Sequence, residues 1–74
     1  MTDEEIDKHV GDRLRFYRLS ARKSQEETGP LLDISFQQLG KYERGENRIS
    51  ASKLYRAAQV LGVRVGDFFD GLAA

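Results

Sequence analysis

Four side chains within six residues, Phe36, Gln37, Gln38 and Lys41, have the types that read the edges of nucleic-acid bases. A glutamine amide offers a donor and an acceptor side by side, matching N6 and N7 of adenine. A lysine ammonium donates to O6 and N7 of guanine, or to a phosphate. An outward phenylalanine has no polar task and packs on a thymine methyl; folded back, it serves equally as local hydrophobic cover. Such chemistry needs these groups on one exposed face of a rigid element, so the question passes to the elements that carry them.

Ser35 reads as an N-cap, and Phe36 to Arg44 as a helix with Leu39 and Tyr42 on its apolar face and Gly45 as its stop. Before it, Ser24-Gln25-Glu26-Glu27 forms a capping box, and a helix carrying Leu31 and Leu32 follows. Gly29-Pro30 interrupts that helix, because Pro30 has no N–H for the carbonyl of Glu26, and predicts a short, kinked or partly unwound element. Two short helices around a tight turn at Asp33-Ile34-Ser35, the second presenting polar groups at its start, make a helix-turn-helix layout suited to the major groove of DNA.

The flanks supply the rest. Thr2-x-x-Glu5 is a second capping box, opening a helix with Ile6, Val10, Leu14 and Tyr17 at helical spacing and an end near Arg22. Ser50 caps a further helix with Leu54, Ala57, Ala58 and Leu61 inward and Gly62 as its end. Val63, Val65, Phe68 and Phe69 predict a last short helix stopped near Gly71. The expected architecture is all-α, five compact helices in a single domain over residues 1–74.

Composition narrows the function classes. The chain has 74 residues, no cysteine and one histidine, His9, read as a surface residue of the first helix. Disulfides, thiolate chemistry and cysteine-ligated zinc are excluded, and no cofactor or metal is expected. With no histidine pair, no glycine-rich phosphate loop and little room for a deep pocket, an enzyme is not expected. Apolar runs are too short to cross a membrane and no secretory signal pattern is present, so the expected address is the cytoplasm. Twelve basic and twelve acidic residues cancel overall, yet residues 13–64 carry +6 between acidic ends of −4 and −2. A local positive face is therefore compatible with a neutral total.

Four ordered segments carry a resemblance. Ser24-Gln25-Glu26-Glu27, Ile34-Ser35-Phe36-Gln37-Gln38, Lys41-Tyr42-Glu43-Arg44-Gly45 and Asn47-Arg48-Ile49-Ser50 resemble the Xre-type, lambda-repressor-like helix-turn-helix family. Val10-Gly11-x-Arg13-Leu14-Arg15 and Leu61-Gly62-Val63 extend the likeness from about Val10 to Phe69. The resemblance implies a lambda-repressor-like fold with recognition helix Ser35–Arg44. It implies base contacts from Phe36, Gln37 and Lys41, with Gln38 beside them, and phosphate contacts or bracing from Gln25, Arg44, Asn47 and Arg48. It also implies a buried salt bridge between Arg18 and Glu43, and core places for Leu14, Leu39, Tyr42, Leu54, Ala58 and Leu61.

Three positions depart from the family pattern: Thr28 where a leucine is usual, Pro30 inside helix two, and Gly40 where the recognition helix usually has a larger polar residue. Two functions follow. One is a sequence-specific transcriptional regulator on double-stranded DNA, a homodimer on a pseudo-palindromic site, with Phe68, Phe69 and Leu72 as the apolar surface for the dimer or else as a cap on the core. The other is a protein-interaction or antitoxin-like module on the same fold, with a protein partner and weak or unspecific DNA binding.

Overall fold

Every α-helix of the chain starts at a hydroxyl residue. The computed structural model describes residues 1–72. It contains α1 (Asp3–Ser20), α2 (Gln25–Leu31), α3 (Phe36–Glu43), α4 (Ala51–Leu61) and a 3₁₀ turn, Val65–Phe69. Thr2, Ser24, Ser35 and Ser50 each accept a hydrogen bond from the N–H three residues on, at 3.0–3.2 Å. At α1 and α2 the box is closed by Glu5 and Glu27, which accept the N–H groups of Thr2 and Ser24 at 3.0 Å. These backbone bonds, then the cap residues' side chains, hold both carboxyls below the ordinary glutamate range.

The four helices also end alike. In each, a residue in the left-handed region turns the chain and the next N–H returns to a carbonyl five residues back. Gly45 and Gly62 take that conformation with no Cβ to strain. Arg22 (φ 58°) and Asp33 (φ 56°) take it with one. The left-handed turn at Arg22 stops α1 at Ser20, two residues before the predicted end.

Four α-helices form among the described residues, not five. The fifth expected helix closes as the 3₁₀ turn, with the Asp67 carboxylate accepting the Arg64 N–H at 2.9 Å. Gly62 at φ 70° and Gly71 at φ 90° bracket it. The turn drives Phe68 fully into the core, edge-on to Tyr17 with ring centroids 5.8 Å apart. His9 is half-buried, not a free surface residue; its Nε2–H donates to the Asp70 carbonyl at 2.6 Å and ties the end of the turn to α1.

Helix α2 is short, as Gly29-Pro30 predicts, but it runs unbroken to Leu31. Pro30 is its penultimate residue, so its missing N–H costs one bond at the frayed end. Gly29 has a separate role. A Cβ there would lie 2.9 Å from the Ile34 carbonyl oxygen and 3.0 Å from the Phe36 nitrogen, so the turn into α3 passes directly over it. Thr28, fully buried, satisfies its hydroxyl by donating to the Ser24 carbonyl at 2.8 Å. The core is Val10, Leu14, Leu32, Leu39, Leu54, Ala57, Ala58, Leu61 and Phe68, with Tyr42 half-buried against it. No helix of the described residues is long and apolar enough to cross a membrane.

Candidate nucleic-acid interface

Helix α3 is held from behind and left open in front. Leu39 is fully buried and Glu43 is 3% exposed, so both face the body. At 100° per residue the opposite face falls to residues 37, 41 and 44, with 38 at its edge; 36, the first residue of the helix, projects on the Leu39 side. Phe36, Gln37, Lys41 and Arg44 are exposed, and Gln38 is half-buried beside them. Phe36 does not fold back as core cover; 41% of it remains accessible. Neither the Gln37 amide nor the Lys41 ammonium bonds to a side chain or loop backbone among the described residues, leaving both groups free for a ligand.

The rear anchor is an ionic network. Arg18 Nε and Nη2 donate to the two Glu43 oxygens at 2.6 and 3.0 Å, and Nη1 donates to the Lys23 carbonyl at 2.7 Å. Gln25 Nε2 donates to Glu43 Oε1 at 3.0 Å. The network joins α1, the loop after it, the start of α2 and the end of α3. Both charges are almost fully buried, and each is matched by several partners, the condition under which such a pair is tolerated in low dielectric. Backbone contact reinforces it: a Cβ on Gly11 would collide with the Tyr42 carbonyl oxygen and lie 2.8 Å from that of Glu43. Gly11 and Gly29 were not read from the sequence as determinants of this geometry, since a close approach between distant segments leaves no local pattern.

The expected phosphate-binding residues divide. Gln25 spends one amide hydrogen on Glu43 and keeps the other. Asn47 is exposed in the α3–α4 loop. The two arginines are already paired. Arg44 donates to Glu46, which holds that carboxyl below its usual range. Arg48 Nε donates to both Asp7 oxygens at 3.1 and 3.2 Å, and its Nη2 lies 3.6 Å from Asp3. The structure thus brings Gln25, Arg44 and the end of α3 together and draws Arg48 onto the acidic start of α1.

A recognition-type helix with an open polar face, set across a tight turn from a capped α2 and locked to α1, defines a helix-turn-helix module. The sequence pattern of the helix-turn-helix family matches residues 14–68. A protein of Sinorhizobium medicae (strain WSM419) named as an uncharacterized HTH-type transcriptional regulator is 49% identical over 65 residues, covering 88% of this chain and 47% of the relative. The chain spans about half the length of that relative. Among solved structures, the clp gene regulator ClgR from Corynebacterium glutamicum superposes with a TM-score of 0.83 at 25% identity, over 86% of this chain and 68% of ClgR. The restriction-modification controller protein C.AhdI from Aeromonas hydrophila gives 0.79 at 28% identity, over 88% and 97%. The chain belongs to the helix-turn-helix family.

Proposed function

We propose that the chain is the DNA-binding module of a transcriptional regulator, with α3 in the major groove of double-stranded DNA. The observation that carries this reading is the face of α3: Gln37 and Lys41 stand exposed and uncommitted, with Phe36 exposed at the helix start, on a helix whose other side is fixed by Leu39 and the Arg18–Glu43 pair. The names of the Sinorhizobium medicae relative and of ClgR, both regulators, and of the controller protein C.AhdI support it. In this arrangement Phe36 packs on thymine methyls, Gln37 pairs with adenine, Lys41 meets guanine or a phosphate, and Gln38 helps from the edge. Gln25, Arg44 and Asn47 position the duplex through its backbone; Arg48 joins them on leaving its aspartates.

One module of this size covers a half-site, so two copies act together on a pseudo-palindrome. Phe68 is removed from the expected dimer surface, being buried in the core; Phe69, 40% exposed, and half-buried Leu72 are left for it. Phe69 also edges a pocket of about 260 Å³ lined by Ile6, Val10, Tyr42, Ile49 and Leu54.

The test is selection of bound duplexes from a random pool at near-physiological salt. Enrichment of a two-fold-symmetric motif is the expected result. A folded protein that enriches no motif contradicts the reading.

A further inference from the structure

Gly40 opens a cleft between α1 and α3. A Cβ there would stand 3.0 Å from Arg44 Nη1 and 3.6 Å from the Gln25 amide, so the two side chains reach over the space that a larger residue would fill. The resulting cavity, about 420 Å³, is walled on its far side by Lys8, Asp12 and Arg15 of α1. Close backbone packing puts that wall there. Gly11 lies against the Tyr42 and Glu43 carbonyls, and a Cβ on Gly45 would be 2.8 Å from Lys8 Cα. Lys8 and Arg15 are seven residues apart, two helical turns, and therefore share this edge of α1.

The charges around the cleft do not cancel evenly. Glu43 is taken by Arg18 and Gln25, Asp12 by Lys8 at 3.1 Å, and Glu46 by Arg44. Arg15 is exposed, and its guanidinium has neither a carboxylate nor any other hydrogen-bond acceptor among the described residues. It is the cation of the cleft with its charge unspent. The Gln25 amide, with one hydrogen unspent, borders the same space.

We propose that Arg15 binds a backbone phosphate of the DNA duplex in this cleft, with Gln25 as its co-donor, so that α1 contributes to the interface beside α3. The proposal rests on the DNA-binding reading above. A planar guanidinium suits phosphate bidentately, and a phosphate contact positions the duplex without reading its sequence. Gly40 then has a use: it keeps the recognition helix slim where the sugar-phosphate chain must reach α1.

The experiment measures affinity against salt concentration for the selected duplex and for an unrelated duplex. Wild type, Arg15→Ala, Arg15→Lys, Lys41→Ala and Arg64→Ala are compared, with circular dichroism melts to confirm folding. Arg15→Ala is expected to weaken both duplexes by the same factor and to reduce the slope of log affinity against log salt by about 1. Arg15→Lys keeps the slope, and Arg64→Ala, in the loop after α4, behaves as wild type. If Arg15→Ala keeps wild-type affinity and slope while Lys41→Ala loses the selected site, the Arg15 contact is wrong and the DNA reading stands. If wild type itself shows no salt-dependent duplex binding, both fall.

Discussion

The two halves of the expected DNA-contact surface differ in how much of their charge is already used. On α3, Lys41 and Gln37 have no side-chain partner among the described residues. In the segment just after it, Arg44 and Arg48 are held by Glu46 and by Asp7 and Asp3. A family motif marks both halves equally, because it records residue types. Structure separates them, because a cation bound to its own carboxylate must give up that bond before it gains by meeting a phosphate. The α3 face carries no such bond; the segment after it is restrained by Glu46 and by the acidic start of α1. This also gives the uneven charge distribution a physical role, since the acidic segment moderates one end of the basic one.

The comparison can be broken most forcefully from behind. Arg18→Ala leaves the Glu43 carboxylate buried at 3% exposure with only Gln25 to bond it. A loss of about 3–5 kcal/mol is expected in denaturant unfolding, large enough to unfold much of the chain and to abolish the α3 face with it. The next effect belongs to α3 alone. Gln37→Ala is expected to remove about 1–3 kcal/mol of discrimination at one base position while the melting temperature stays put, read by competition between matched and mismatched duplexes.

Asp7→Asn sharpens the contrast from the loop side. Loosening Arg48 from Asp7 is expected to strengthen binding to every duplex, with the salt slope rising by about 1, and to leave base preference unchanged. A drop in affinity would mean that the Asp7 bond orients Arg48 for DNA instead of restraining it.

The smallest effect is at the caps. The Glu5 and Glu27 carboxyls are held below their ordinary values by backbone and then side-chain hydrogen bonds from Thr2 and Ser24. A depressed folded-state value means that this stability is complete above the unfolded-state value and is lost as the pH falls through the folded one. Thermal melts should therefore decline on acidification below the ordinary glutamate range. Glu27→Gln should make that decline shallower, since the amide still accepts the Ser24 N–H and no longer titrates.

What the sequence made legible was local. Thr2, Ser24, Ser35 and Ser50 each act on a nitrogen three residues away, so their patterns predict the four helix starts directly. The inward faces of α1 and α4 follow from helical spacing in the same way. What escaped was non-local. Gly29 reads as a helix breaker, yet its position is set by the backbone of Ile34 to Phe36 crossing it. Phe68 and Phe69 look interchangeable, and only the 3₁₀ geometry sends the first inward and leaves the second exposed. Arg48 meets Asp7 across 41 residues and His9 meets Asp70 across 61, distances at which no spacing rule operates. Residue type suggests the contact chemistry and the family resemblance its positions, and neither carries their state of charge.

The central claim is that the open face of α3 reads bases. Its most direct test is the duplex selection repeated with Lys41→Ala and Gln37→Ala proteins whose folding is confirmed by circular dichroism. Enrichment of a two-fold-symmetric site by wild type, with the preference at defined positions lost in each variant, is the predicted result. An identical motif from wild type and both variants would contradict the claim and place sequence recognition on another surface of the chain.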